Sequence, residues 1–227
     1  MKHTAPLPVF LAALFLVGIS LYFVALAADA HWLKLLSKPL PLLALIIWTT
    51  RSAPGTVGRL TAVGLVLGLI GDVLLSLGDG TFLLGLVSFL LGHIAYTAAF
   101  SLAARQLAPL LLIPMLVYVA AVSPVLVPVL GGLAGPVVAY MVFIGVMAWR
   151  AAAFAQARGG FAAAALLGAI LFMFSDTIIA VNRFVSPVGG ADVAIMLTYW
   201  AGQAALAAGV VLSAPAAGEG APEPRGA

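Results

Sequence analysis

The sequence predicts an all-α fold: a polytopic membrane helical bundle of about eight transmembrane helices. Three observations carry this. Of 227 residues, 64% are hydrophobic and only 7% charged, where an ordinary soluble domain has about 25% charged residues. The mean hydropathy is +1.23, and the ten basic and seven acidic residues are too few to clothe a water-soluble globule of this length. That excludes a cytosolic enzyme and a disordered chain. Finally, apolar runs of roughly 20 residues, enough for a helix to cross about 30 Å of hydrocarbon, recur from end to end. A β-barrel would need polar positions alternating toward its lumen instead. The isoelectric point near 9.5 does not point to nucleic acid, because the net charge is only +3 and no basic run exists to track phosphates. The absence of cysteine excludes disulfides, thiolate catalysis and Cys-ligated metals.

Cuts placed where charges, glycines and prolines cluster give segments 7–28, 33–50, 59–78, 81–101, 107–129, 133–154, 160–181 and 191–213, within one transmembrane domain over 1–213. Segment 1 has signal-peptide features, Lys2 before an apolar run and Ala25-Leu26-Ala27 as a cleavage-like site. Its run from Leu7 to Ala28 is longer than a usual signal core, which favours a retained span. Segment 2 begins around Lys38-Pro39-Leu40-Pro41. Segment 3 has a small-residue side, Gly68 and Gly71 beside Asp72, where another helix or a lipid tail can approach closely. In segment 4, Gly85, Phe89, His93 and Tyr96 share one helix face. Segment 5 holds Pro109, Pro114, Pro124 and Pro128 and is expected to kink or unwind near its end. Trp149 near the end of segment 6 reads, with Trp32 and Trp48, as an interfacial belt. Segment 7 carries Asp176 and runs out into Asn182 and Arg183, and segment 8 places Tyr199 and Gln203 one turn apart. The polar tail, 214–227, is expected to be disordered and cytoplasmic.

Short connections predict antiparallel neighbours. The amino-terminal side then collects Lys2, Arg51, Arg59, Arg105, Arg150, Arg158 and Arg225, and the other side Lys34, Lys38 and Arg183. The positive-inside rule places both termini in the cytoplasm. The Ala- and Gly-rich composition without organellar signals suggests a bacterial inner membrane.

Ionisable groups inside spans are expensive and are functional candidates by default. At about 1.5 Å per residue, Asp72, Asp176 and Tyr199 come out roughly 10 Å below the outer surface, His93 and Gln203 roughly 16–18 Å, and Lys38 shallower. All fall in the outer half of the bilayer and suggest a polar pocket with apolar walls that opens outward. Each residue alone has a plain structural reading: a buried hydrogen bond for Asp72 or Asp176, interhelical glue for His93, Tyr96, Tyr199 or Gln203, snorkelling for Lys38, a lipid-phosphate anchor for Arg183. Asp29, Asp79 and Asp192 read as solvated charges. Two carboxylates at one depth on different helices, with Lys, His and amide groups nearby, are harder to explain that way. Segments 3–4 and 7–8 also look alike, with Asp72 and Asp176 104 positions apart, which suggests a four-plus-four pseudo-repeat.

Taken together, Lys38-Pro39, Gly71-Asp72, the Phe82, Gly85, Phe89, His93 and Tyr96 series, Ser175-Asp176 with Asn182, and Tyr199 with Gln203 form an ordered set over segments 2 to 8. In order and spacing it resembles the lysoplasmalogenase family, the YhhN-type eight-span membrane proteins. The resemblance implies hydrolysis of the vinyl ether bond of a lysoplasmalogen, giving a fatty aldehyde and glycerophosphocholine or glycerophosphoethanolamine. The two intramembrane aspartates would correspond to Asp72 and Asp176. The chemistry suits them. A vinyl ether is cleaved by protonation of its β-carbon, and the resulting oxocarbenium ion is trapped by water. One carboxyl must deliver a proton, which removal from water favours, and the other can stabilise the cation and activate water. Glycosidases pair carboxylates by similar logic, as chemical analogy only.

On this reading Asp72 and Asp176 are the acid/base pair, in either order. His93, Tyr96, Tyr199 and Gln203 orient them or position water, Lys38 pairs with the substrate phosphate, and Asn182 bonds the headgroup. The lysophospholipid would arrive from the bilayer. No cofactor is needed, and the paired ligands of common helical metal sites are missing. The main alternative is a proton-coupled transporter or carrier, since intramembrane Asp and His also build proton relays. Against it, no strong polar set in the inner half completes a path. A non-catalytic assembly subunit is a third reading.

Overall fold

A computed structural model describes residues 7–214. They form nine α-helices and no strand: α1 (Val9–Ala27), α2 (His31–Ser37), α3 (Leu40–Ser52), α4 (Thr56–Ser76), α5 (Phe82–Ala103), α6 (Ile113–Leu130), α7 (Ala134–Arg158), α8 (Ala163–Ala180) and α9 (Ala191–Val211). Seven stretches are long and apolar enough to cross a membrane. The longest, Pro109–Arg158, contains both α6 and α7. It doubles back at a 3₁₀ turn over Gly131–Leu133, where Gly131 has φ of +52°, a conformation open to glycine. Leu126 and Leu130 of α6 then pack on Val137 and Met141 of α7. The chain is an all-α integral membrane bundle. Lys2, Arg225 and nearly all of the polar tail lie outside the described residues.

Three local features position the site. First, the segment expected as one helix over 33–50 is two, α2 and α3, broken at Lys38 and Pro39. Pro39 and Pro41 have no amide hydrogen, so they cannot continue the ladder of α2. The break leaves the Lys38 side chain reaching α4. Second, the packing is set by small residues. An added Cβ on Gly71 of α4 would lie 2.7 Å from the Phe89 ring of α5, and one on Gly168 of α8 would lie 2.6 Å from the Gly202 carbonyl oxygen of α9. In hydrocarbon, where apolar helices gain little by leaving lipid, such close backbone contact is what holds pairs together. Third, α8 ends in a π-helical turn, Val181–Val185, which carries Asn182 and Arg183.

Pro124 and Pro128 both lie inside α6, which stays helical to Leu130, and this helix buries only Met115, Leu126 and Leu130. The belt reading of the tryptophans is corrected at one position. Trp32 is exposed, but Trp48 is 4% exposed, because it falls on the α3 face that also buries Leu42, Ala44 and Leu45.

Candidate active site

Asp72 sits on the small-residue face of α4 and is 2% exposed. Its Oδ1 lies 3.5 Å from Lys38 Nζ. The same ammonium reaches the Asp72 carbonyl oxygen at 3.4 Å and Ser76 Oγ at 3.3 Å. Ser76 in turn donates to the Asp72 carbonyl at 2.8 Å. The carboxylate is therefore held by a cation delivered by the α2–α3 break. Asp72 Oδ2 has no hydrogen-bond partner among the described residues. The Tyr199 hydroxyl interacts with Asp72 and Gln203, but meets neither in good hydrogen-bond geometry.

Asp176 of α8 has different company. The Tyr140 hydroxyl of α7 donates to its Oδ2. His93 Nε2 of α5 is 3.9 Å from the same oxygen. His93 is fully buried, and neither ring nitrogen has a hydrogen-bond partner among the described residues. No Lys or Arg ion pair holds Asp176 among the described residues. Its side chain is 12% exposed, through a crevice between α5, α6, α7 and α8. One residue after Asp176, Thr177 shares a 2.8 Å hydrogen bond with Tyr118.

Edge-on rings pack around the two carboxylates. Phe89 meets Tyr199 at 5.8 Å and Phe172 at 5.9 Å, and His93 meets Phe172 at 4.8 Å and Tyr140 at 5.1 Å between centroids. Further along, the Tyr96 hydroxyl donates to Gln203 Oε1 at 2.6 Å. Gln203 Nε2 and the Tyr199 hydroxyl both face Gly68, lying 2.9 and 3.0 Å from where its Cβ would be. Gln203 Nε2 is also unpartnered among the described residues. Unmatched buried polar atoms cost about 1–3 kcal/mol each, so a cluster of them is expected where a polar guest binds.

Two cavities lie beside this cluster: Tyr140 and Asp176 line one and Lys38 the other, while Asp72, His93, Tyr199 and Gln203 line neither. One is the crevice at Asp176, walled by Leu86, Phe89, Met141 and Ile144 with Tyr140 and Asp176 on its surface. The other is a polar vestibule edged by Lys38, Asn182, Arg183 and Asp192. Leu75, Phe82 and Ile179 line both, so an apolar groove and a charged vestibule share a wall.

The structure brings together most of the residues singled out from sequence. Asp72, Lys38 and Tyr199 form one group, Asp176 and His93 the other. Lys38, expected at the substrate phosphate, contacts Asp72 and also borders the vestibule. Asn182 borders the vestibule too, with its Oδ1 accepting the Val188 N–H at 2.8 Å. Tyr96 and Gln203 stand behind the carboxylates, bonded to each other. Arg183 is half-exposed, 2.9 Å from Asp79, and stacks 3.8 Å over the Phe82 ring. Among the described residues, no three His, Asp or Glu side chains gather as a metal site would require.

Sequence reasoning missed Tyr140. The signal was present: it lies seven residues into segment 6, about 10 Å from the outer surface by the same rise per residue, level with both aspartates.

Fold and site define a polytopic helical membrane protein with two largely buried carboxylates beside an apolar groove and a charged vestibule. The YhhN family model matches residues 33–210, most of the chain, and the chain belongs to that family. It is similar to the mouse protein named lysoplasmalogenase TMEM86B, with 33% identity over 192 residues, covering 83% of this chain and 81% of the relative. It is also similar to bovine lysoplasmalogenase TMEM86A, with 35% identity over 200 residues and 82% of each chain covered, and to rat TMEM86B at 30% over 192 residues. No solved structure matches the chain.

Proposed function

We propose that this chain is a membrane-embedded lysoplasmalogenase that hydrolyses the vinyl ether bond of a lysophospholipid, with Asp176 as the acid and Asp72 as the base. The names of its relatives support the reaction. The observation that carries the division of labour is the contrast between the two carboxylates: Asp72 faces Lys38 beside the charged vestibule, while Asp176, held by the neutral Tyr140 hydroxyl, faces the apolar groove.

The substrate has matching polarity. Its vinyl ether reads, from the glycerol outward, oxygen, α-carbon, β-carbon, alkyl chain. With the headgroup in the vestibule and the chain in the groove, the β-carbon lies on the Asp176 side and the ether oxygen on the Asp72 side. Asp176 gives its proton to the β-carbon, and the ether oxygen lends electrons to form an oxocarbenium ion. Both carboxylates and the surrounding ring faces stabilise that cation. Water adds to the α-carbon and loses a proton to Asp72, forming a hemiacetal. Asp72 then passes this proton to the glycerol oxygen as the carbon–oxygen bond breaks. The hemiacetal hydroxyl returns a proton to Asp176. One water is consumed, and the products are an alcohol and a fatty aldehyde. Tyr140 and His93 position Asp176, and Tyr199 and Gln203 position water. The apolar groove, bordered by the loosely packed α6, admits the chain from the lipid, with both termini cytoplasmic and the vestibule facing outward.

The test is hydrolysis of 1-alkenyl-lysophosphoethanolamine by purified protein in D₂O. The expected product is an aldehyde carrying one deuterium at its second carbon, from the Asp176 proton. Aldehyde without that label would rule out β-carbon protonation, and absence of aldehyde from folded protein would rule out the reaction.

A further inference from the structure

We infer that the vestibule reads a zwitterionic headgroup, with Asp192 receiving its ammonium end while Lys38 and Arg183 receive its phosphate. This rests on the proposed reaction for the placement of the substrate, and it gives a role to Asp192, which reads as a solvated charge in the sequence and is exposed in the structure.

The charges around the vestibule are unevenly matched. Lys38 is engaged by Asp72 at 3.5 Å. Arg183 is engaged from outside by Asp79 at 2.9 Å and braced on Phe82 at 3.8 Å. Asp192 lines the same cavity, yet among the described residues it has no ion pair. It interacts electrostatically with Tyr22, a neutral phenol. Its backbone is fixed in the first turn of α9, a 21-residue helix. The vestibule thus presents two cations and an amide, and on the same cavity a carboxylate with no ion pair among the described residues.

A bare phosphate monoester would gain from the cations but meet this carboxylate as a like charge. A phosphoethanolamine places an ammonium beyond the phosphate, and that group offsets Asp192. A primary ammonium also donates hydrogen bonds to a carboxylate, where a quaternary one has no N–H to give. The arrangement favours ethanolamine over choline, and either over a headgroup that ends at phosphate.

The experiment measures binding with ligands that cannot be hydrolysed. Saturated 1-O-alkyl-lysophosphoethanolamine, its choline analogue and 1-O-alkyl-glycerophosphate are titrated calorimetrically into the full chain in detergent. Asp192→Asn and Asp192→Lys are compared with the parent, and Asp29→Asn, an exposed acid outside the cavity, serves as control. The parent should prefer the ethanolamine lipid to the glycerophosphate. Asp192→Asn should narrow that ratio about threefold, the size of a solvent-accessible ion pair. Asp192→Lys should shift it about tenfold and Asp29→Asn not at all. An unchanged ratio in folded Asp192→Lys overturns the inference, as does a parent that does not discriminate. These ligands have no vinyl ether. A preserved ratio with no aldehyde release would therefore sink the reaction and leave the headgroup reading standing, and the converse result would do the reverse.

Discussion

Two ends of this bundle bury charged side chains, and they treat them in opposite ways. At one end Arg150 of α7 is 4% exposed and well supplied with acceptors. Its Nε donates to Ser101 Oγ at 3.0 Å, its Nη1 to the Gln106 carbonyl at 2.9 Å, and its Nη2 to the Ala104 carbonyl. Trp149 adds a bond to the Ala108 carbonyl at 3.1 Å, and Gln106 one to Ala153 at 3.3 Å. This clasp ties the carbonyls at the end of α5, and the loop after it, to α7. At the other end, Asp72 Oδ2, both His93 nitrogens, the Tyr199 hydroxyl and Gln203 Nε2 are buried with no well-formed hydrogen bond among the described residues. The bundle satisfies Arg150 fully, yet among the described residues it leaves these atoms unmatched beside two carboxylates. The lesson is that a buried charge in a membrane protein does not by itself mark a site. Unmet hydrogen-bonding capacity gathered beside buried carboxylates is the stronger signal.

The strongest way to break this contrast is to neutralise the carboxylates. Asp72→Asn and Asp176→Asn should each lower aldehyde release at least about 100-fold, the scale of losing a general acid or base, while leaving the protein folded in detergent. Turnover in either variant close to that of the parent would remove that residue from the mechanism. Next in size is Tyr140→Phe. It deletes the hydrogen bond to Asp176, and such a bond to a charged group contributes about 1.5–3 kcal/mol. The expected loss is about 10- to 100-fold in kcat with KM nearly unchanged. A change confined to KM would make Tyr140 part of the binding wall.

At the clasp the expected effects are on stability. Arg150→Ala strands three acceptors, of which the Ala104 carbonyl is buried, and should cost about 1–3 kcal/mol, seen as a lower midpoint of thermal unfolding with turnover per folded molecule unchanged. Trp149→Phe removes one bond and should cost about 0.5–1.5 kcal/mol. A fall in specific activity in either clasp variant would show that the two ends are coupled.

Much of this architecture was legible in the residues. Composition set the class, and apolar run lengths located the helices. Depth arithmetic placed Asp72, Asp176, His93 and Tyr199 together, because a helix converts position into distance with little error. What was not legible depends on rotation and on local breaks. Arg150 counts as an inner-side charge in any tally of basic residues, and only the fold shows it turned inward onto the carbonyls of Ala104 and Gln106. Lys38 reads as the polar start of a span, but the Pro39 break directs it to Asp72. Tyr140 lies on a helix with no buried carboxylate or histidine to draw notice, and its partner is 36 positions away. Trp48 has the composition of a belt residue and the burial of a core residue, because its side of α3 faces the bundle.

The most direct test of the central contrast is a paired measurement of kcat and thermal midpoint for Asp176→Asn and Arg150→Ala, beside the parent. The account predicts a crossed result: Asp176→Asn keeps the parent's midpoint and loses turnover, and Arg150→Ala loses midpoint and keeps turnover per folded molecule. If both variants lost stability and activity together, the two ends would be one structural network and the distinction drawn between them would be wrong.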